Sequence, residues 1–333
     1  MGQPNEGEEL ISIGLDGELP LDLNPYGYMY LSGFIPEQGV NTFALNLETN
    51  TLEEVTTSGN NSEFAPFDGS HALFSTVSNA ESGQTEIVIA DFSNETYLQL
   101  PTPPGYYKRN IQGFAGEHDG IAYSNRTETA SEDDVFFDPT YWQVVVGIPV
   151  LQTFDTIPES FSPVYLKERN EIIVAKPDGI YSYNLETKNT YRIETGLSGL
   201  KADTEIVISP DRSKMILTAP IDNSLMVFDL EVGDVITAQT AGVITVPGRH
   251  FLSPIISPDN RFYAVFAFSD GEDNPQAQVE MRAFESKELV SALPVENFEH
   301  RSLRLHAWTT NLILDTAQEH GHDGADESAD HDH

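Results

Sequence analysis

One pattern of short strands and turns recurs along most of this 333-residue chain. Its clearest copy, residues 205–238, reads EIVISPDRSKMILTAPIDNSLMVFDLEVGDVITA. Runs of β-branched and aromatic residues alternate there with Pro, Asp, Asn and Gly, which is typical of strands joined by tight turns. The runs are apolar on both faces, so each strand has to be covered on both sides. One four-stranded unit cannot provide that cover alone and needs neighbours like itself.

Copies of this unit follow one another at a nearly constant spacing. Six of them begin near residues 24, 64, 110, 160, 204 and 250, so that successive starts are 40, 46, 50, 44 and 46 residues apart. That period is typical of one four-stranded blade of a β-propeller. The repeat therefore indicates a ring of blades.

The two ends of the chain complete the count. Residues 303–315 (LRLHAWTTNLILD) look like the first half of a unit, and residues 9–23 (ELISIGLDGELPLDL) look like a second half. Joined in one shared blade, these N- and C-terminal strands would close the ring and remove its free sheet edges. We therefore predict an all-β fold, a seven-bladed β-propeller of four-stranded antiparallel blades over residues 9–315. Residues 1–8 would be a disordered lead, and residues 316–333 a disordered tail.

Two turns carry a resemblance to a known repeat family. SPDRSKMILTA and SPDNRFYAVFA resemble the Ser-Pro-Asp-Gly turn of WD-like β-propeller repeats, the kind found in bacterial periplasmic and surface propellers. The Gly of that turn is replaced here by Arg212 and Asn260, and the Trp-Asp pair of eukaryotic members is absent. The resemblance extends over roughly residues 9–315 and implies a fold, not an activity.

The charge balance limits the partners. Asp and Glu number 53 against 17 Lys and Arg, which gives a formal net charge of −36. Such a surface repels phosphate backbones and anionic lipid, so nucleic acid and membranes are poor partners. It favours solubility, cation binding or a salty medium that screens the self-repulsion, as in a marine or halophilic cell. The absence of cysteine excludes disulfides, a thiolate zinc site and a cysteine nucleophile.

The compartment follows only from the resemblance. The start, MGQPNEGEE, is polar and has no apolar signal region, which fits either a mature exported domain or the native start of a cytoplasmic protein. No stretch approaches the roughly 20 apolar residues of a membrane helix. We expect a monomer in the periplasm or at the cell surface, with the cytoplasm as the alternative.

The tail is rich in metal-binding side chains. Four of the nine histidines fall within residues 319–333, among several aspartates. Imidazole suits divalent transition metals, and adjacent carboxylates complete the shell, although this spacing lacks the fixed geometry of a structural site. The alternative is a solubilising tail. We predict that six side chains bind a divalent metal ion, with zinc favoured: His320, His322, Asp323, His331, Asp332 and His333.

The scarce positive charge is concentrated where the innermost strands begin. In a propeller these strands line the central channel, and the segments that enter them form one rim. A mouth with both signs of charge and several histidines predicts a site for an anionic small molecule or a metal ion. The alternative is that the charges pair to neutralise neighbouring blades. The candidate set is Glu63, Lys108, Arg109, Asn110, Asp203, Glu205, Arg249, His250, Arg301, Arg304 and His306.

Catalytic motifs are absent. The chain has no Gly-x-Ser-x-Gly elbow, phosphate loop or His-Glu-x-x-His motif. We expect a non-enzymatic propeller that binds a protein, a metal ion or a small molecule. The alternative is a small-molecule receptor or an enzyme of the hydrolase or lactonase type at the channel mouth. The insertion at residues 125–138 offers Phe136 and Phe137 as partner anchors, or as side chains that fold the loop down.

Overall fold

The computed structural model describes residues 25–56, 61–79, 84–114, 119–128, 137–219, 224–269, 277–294 and 303–313. These residues form twenty-four strands and three single-turn 3-10 helices, at Pro139–Tyr141, Pro149–Leu151 and Lys167–Arg169. No helix in this part of the chain is long and apolar enough to cross a membrane. The all-β prediction is confirmed.

The strands form four-stranded antiparallel units, which we number as blades in chain order and write from the innermost strand outwards. Blade 1 contains β24 (Arg304–Thr309), β1 (Tyr28–Ile35), β2 (Gly39–Asn46) and β3 (Thr51–Glu54). Blade 2 contains β4 (Asn61–Pro66), β5 (His71–Asn79), β6 (Gln84–Asp91) and β7 (Thr96–Gln99). Blade 3 contains β8 (Tyr106–Phe114), β9 (Gly120–Arg126), β10 (Trp142–Ile148) and β11 (Thr153–Pro158).

The remaining three blades have the same order. Blade 4 contains β12 (Phe161–Leu166), β13 (Glu171–Lys176), β14 (Gly179–Asn184) and β15 (Thr190–Ile193). Blade 5 contains β16 (Glu205–Ile208), β17 (Lys214–Ala219), β18 (Ser224–Val232) and β19 (Ile236–Thr245). Blade 6 contains β20 (Arg249–Ile256), β21 (Phe262–Ser269), β22 (Ala277–Ala283) and β23 (Leu289–Pro294). Blades 2 and 3 are joined into one sheet by a single residue pair, Gln84 with Tyr106.

The innermost strands form a closed ring. Each of β24, β4, β8, β12, β16 and β20 contacts the next, and β20 contacts β24 again. Large apolar clusters fill the spaces between adjacent blades, because both faces of the central strands are apolar. This is the propeller arrangement that the repeat predicts.

Seven blades are not confirmed. The described residues build six, because β24 pairs with β1 and completes the sheet of β1, β2 and β3 instead of starting a further blade. The sequence interpretation took residues 24–55 as a complete unit, although they supply only three strands. Residues 9–23, the other half of the predicted seventh blade, lie outside the described residues. The two ends of the described chain do share one blade.

The structure shows how the two Ser-Pro-Asp turns form without the Gly of the repeat family. Arg212 and Asn260, which stand where that family has Gly, both have a left-handed backbone with φ of 62° and 60°. The Asp211 carboxylate accepts hydrogen bonds from Ser209 Oγ at 2.6 Å and from the Ser213 amide at 3.0 Å. These local bonds hold the turn that starts β17, so the conformation is kept without glycine.

The insertion in blade 3 is folded onto the body where it is described. Trp142 is buried and begins β10, and Phe137 packs against the apolar cluster between blades 4 and 5. Phe136 lies outside the described residues. Phe137 therefore contributes to packing, as in the second of the two sequence interpretations.

The closing blade should be the most sensitive part of the ring. Trp308 of β24 is buried with Met29 and Leu31 of β1, and its indole Nε1 donates to the Tyr26 carbonyl at 2.8 Å. Replacing it in Trp308→Ala should lower the free energy of unfolding by about 3–5 kcal/mol in denaturant titrations. Leu98→Ala, at a side chain 64% exposed on β7, is the control and should change it by less than about 0.5 kcal/mol. Equal midpoints for the two variants would contradict closure through β24.

Candidate functional site

The six innermost strands surround a central cavity of about 80 Å³. At ~10–15 Å³ per water molecule, this space admits roughly five to eight waters or a small ligand of similar size. The lining residues are Glu63, Phe64, Asn110, Ile111, Gln112, Pro163, Glu205, Ile206, Val207, Ser253, Pro254, Arg304, Leu305 and His306.

Bulges in the inner strands turn backbone amides towards neighbouring blades. Asn110, Ser162 and Ser253 have left-handed backbones with φ of 51°, 52° and 51°, and the register of their strands shifts at these points. Pro163 and Pro254 follow the two serines and cannot donate to the ladder, which favours an interruption there. The amides of the bulged residues are therefore free to bond outside their own blade.

Each of these amides meets an acceptor from the preceding blade. The Asn110 amide donates to Glu63 Oε2 at 3.0 Å, and the Ser253 amide donates to Glu205 Oε2. The Ser162 amide donates to Ser124 Oγ at 2.8 Å. Together with the bond from the Ile206 amide to Ser162 Oγ at 2.7 Å, these contacts bridge the boundaries from blade 2 through blade 6. They satisfy buried donors that would otherwise be costly.

Arg109 connects carboxylates from blades that are not adjacent. Its Nε lies 3.9 Å from Glu63 Oε1 in blade 2, and its Nη2 lies 3.5 Å from Glu205 Oε1 in blade 5. The guanidinium also lies over the Phe137 ring, 5.9 Å from its centroid. Arg109 therefore partly neutralises the charge of both carboxyl groups, which also repel each other across the ring.

Burial changes the protonation of the cavity. Desolvation raises the pKa of Glu63 to about 7, against the lowering effect of Arg109, and the charge of Glu205 adds to the rise. Desolvation also raises the pKa of Asp203, which lies in the same electrostatic network. Glu63 is thus close to half protonated near neutral pH.

The wall contributed by blade 1 holds a cation and a neutral imidazole. Desolvation, followed by the charge of Arg304, lowers the pKa of His306 to about 3, so this ring is uncharged at neutral pH. His306 Nε2 lies 2.7 Å from Ser32 Oγ. Desolvation also lowers the pKa of Arg304, but a guanidinium keeps its proton; its Nη1 donates to the Leu303 carbonyl at 2.8 Å.

The structure brings together part of the predicted set. Five of its members line the cavity, namely Glu63, Asn110, Glu205, Arg304 and His306. Arg109 and Asp203 belong to the same charge network. Arg301 and all six predicted metal ligands of the tail lie outside the described residues. Within the described residues, no group of three or more acidic or histidine side chains is placed to hold a metal ion.

Three further residues of the predicted set, Lys108, Arg249 and His250, are not among the residues that line this cavity, and their place at the channel mouth stays a prediction. Lys108 is buried, with its Nζ donating to the Thr85 carbonyl and 3.5 Å from Glu86 Oε2. Arg249 pairs with Glu280 at 2.6 Å. His250 stacks on Phe268, with 4.9 Å between the ring centroids. Because the side chains of a strand alternate between its two faces, a rim position in sequence does not decide which way a residue points.

Sequence reasoning missed the polar positions inside the strands. Ser253 and Gln112 line the cavity, and Gln112 Oε1 accepts the Tyr165 amide at 2.9 Å. A signal for the serines was present, because the innermost strands β12 (FSPVYL) and β20 (RHFLSPII) both contain Ser-Pro. A repeated Pro inside a strand indicates a bulge.

Comparison with known proteins supports the fold. No family model and no curated protein matches the chain. Among solved structures, TolB from Acinetobacter baumannii matches with a TM-score of 0.56 and 12% identity, over 87% of this chain and 68% of that one. The periplasmic gluconolactonase PpgL of Pseudomonas aeruginosa matches with a TM-score of 0.51 and 12% identity, over 85% and 99% of the two chains.

A third match is a β-propeller domain by its description. This is the Swd1 propeller domain of Myceliophteria thermophila, with a TM-score of 0.51 and 11% identity over 77% of this chain and 80% of that one. Similarity at this level of identity shows the fold alone. The chain is therefore a β-propeller, and its function has to be inferred from its own site.

The raised pKa of Glu63 should appear in the pH dependence of stability. Between about pH 4.5 and 7 the folded protein keeps a proton on Glu63 that the unfolded chain releases, so stability falls as the pH rises through this window. Glu63→Gln cannot titrate. From pH 5 to pH 8 the wild type should lose up to about 3 kcal/mol more than this variant in denaturant titrations. Glu168→Gln, at a mostly exposed carboxylate, is the control, and its stability should follow that of the wild type with pH. If the curve of Glu63→Gln also runs parallel to that of the wild type, Glu63 does not have a raised pKa.

Proposed function

We propose that this chain is a non-enzymatic binding propeller that works outside the cytoplasm and holds part of a small polar molecule in its central cavity. The observation that carries the proposal is the convergence of Glu63, Glu205, Arg304 and His306, from three blades, on one cavity. Placing charged groups in a buried site costs stability, and such costs are concentrated at functional sites. The cavity has room for a small metabolite or for one end of a larger one.

The proposed location outside the cytoplasm rests on the comparison of folds. One protein of similar fold, PpgL, is described as periplasmic.

The binding proposal can be tested without knowing the ligand. A metabolite library is screened by native mass spectrometry against the wild type, Arg304→Gln and the control Arg261→Gln, whose side chain is half exposed on a turn. Compounds that use the cavity should bind the wild type and the control but lose roughly tenfold or more in affinity for Arg304→Gln, because a charged hydrogen bond is removed. If no compound depends on Arg304, the cavity is not a binding site.

A hydrolase of the lactonase type is the second candidate. A pKa of about 7 suits Glu63 as a general base at neutral pH, and PpgL is described as a gluconolactonase. Activity assays with lactones on the wild type and Glu63→Gln distinguish the enzyme from the binding protein. Turnover of lactones that rises with pH through 7 and disappears in Glu63→Gln would replace the binding proposal with an enzymatic one.

We further propose that the tail binds zinc through His320, His322, His331 and His333, with Asp323 and Asp332. Calorimetry compares the whole chain with one that ends at Gln318. The whole chain should bind Zn²⁺ more tightly, and its affinity should fall by about tenfold or more from pH 7.5 to 5.5, since imidazole is protonated below about 6.5. Equal affinity of the two chains would leave the tail as a solubilising appendage.

A further inference from the structure

The outermost strand of blade 5 differs from those of the other blades. β19 has ten residues, whereas β3, β7 and β15 have four and β11 and β23 have six. It is the last strand of its sheet, and no strand of the described chain pairs with its outer side. Such an edge strand presents a row of unpaired N–H and C=O groups. The longest row of this kind among the described outermost strands is therefore that of β19.

Most of the features that protect an edge strand are missing from β19. Charged side chains, prolines and short length keep edge strands from pairing with other chains. β3 contains Glu53 and Glu54, β15 contains Arg192, and β11 and β23 end in proline. Residues 235–246 (VITAQTAGVITV) contain no charged residue and no proline, although 21% of the chain is charged. β19 has only a bulge at Ala241, where its register with β18 shifts.

The same stretch is open to solvent along most of its length. Val235 and Val243 are 56% and 55% exposed. Blade 4 reaches the first residue of the strand, where Tyr191 Oη accepts the Ile236 amide at 3.2 Å. The other exposed residues are Thr237, Gln239, Thr240, Thr245 and Val246. From Thr237 onwards the edge therefore offers uncharged side chains and backbone groups to another strand.

The charge of the chain limits what that strand can be. A formal net charge of −36 repels a second copy over most of the surface. At the edge of β19, two copies can approach without placing like charges opposite each other. A charged strand would find no opposite charge on β19, whereas a second β19 is an uncharged strand of the same length. A second copy of this chain is thus the partner that fits this edge.

An antiparallel pair also separates the nearest acidic residues. Glu231 and Asp234 are exposed and lie at the end where β19 begins. When two copies pair antiparallel, the beginning of one strand lies beside the end of the other, so these carboxylates lie at opposite ends of the contact. A two-fold axis relates such strands and passes through their middle, near Thr240 and Ala241. Both copies then bend at the same bulge.

We infer that two copies of this chain associate by pairing their β19 strands antiparallel, which joins the two blade 5 sheets into one. Main-chain hydrogen bonds supply most of the affinity, and pairs of threonine and valine across the strands add to it. The contact involves one strand from each copy, so the dimer is weak and depends on concentration. It replaces the monomer expected from the sequence. The central cavity is lined by the innermost strands and stays accessible in this dimer.

Sedimentation velocity on the whole chain tests the association. Between about 5 and 500 µM in about 0.5 M NaCl, the wild type should change from monomer to dimer. Lowering the salt to about 0.05 M should weaken the dimer several-fold, because the acidic surfaces are then less screened. A chain that stays monomeric at the highest concentration would overturn the inference. A dimer that is stronger at low salt would do so too, since opposite charges would then hold it.

Two glutamate variants separate this edge from the effect of charge in general. Thr240→Glu and Thr96→Glu each change an exposed threonine of an outermost strand and add one negative charge per chain. Thr240→Glu puts two carboxylates side by side at the axis, so it should weaken dimerisation roughly tenfold or more. Thr96→Glu on β7 is the control and should stay within about twofold of the wild type. Equal dimerisation of the two variants would overturn the role of β19.

Hydrogen exchange tests the strand pairing itself. The amides of residues 237–245 should exchange more slowly at concentrations at which the wild type is dimeric, because pairing engages their outward N–H groups. The amides of β7 should exchange equally fast in monomer and dimer. A dimer without slower exchange in residues 237–245 would use another surface, and the inference would be wrong.

Discussion

The structure depends on the closure of the ring formed by the innermost strands. Every central strand is apolar on both faces, so no blade is stable without a neighbour on each side. A row of blades would leave two such faces uncovered. The pairing of β24 with β1 removes both uncovered faces at once, because it puts one strand from the C-terminal end into the first blade. The apolar cluster around Trp308 then joins blade 6 to blade 1.

Closure creates a polar axis within an apolar body. The inner strands bulge where they line the axis, and the bulged amides find acceptors in the preceding blade. Glu63 and Glu205 supply two of these acceptors, and Arg109 lies between their carboxyl groups and offsets their negative charge. The same residues therefore hold the ring and set the electrostatics of the cavity. This sharing explains why a chain with so few basic residues places two arginines at its centre.

Similarity of fold says little about what occupies that centre. Proteins described as TolB, as a gluconolactonase and as a propeller domain share this architecture at 11–12% identity. A fold of this kind can carry different sites, and the side chains that line a site decide its chemistry. In this chain the residues that line the cavity include two carboxylates, one guanidinium and one neutral imidazole.

The sequence by itself determined the fold class and the blade period. Alternation of apolar runs and turn residues is local, so the strands around the Ser-Pro-Asp turns could be predicted from their own residues. The assignment of β24 to blade 1 could not be predicted in this way, because packing decides which strands that are distant in sequence pair with each other. The same limit applies to the site. Sequence position put Glu63 and Arg304 near the channel, and it put Lys108, Arg249 and His250 there too. In the structure the last three contact the Thr85 carbonyl, Glu280 and Phe268. Only the tertiary structure decided which side chains converge, because a bulge of one residue changes the direction of a side chain without leaving a mark in composition.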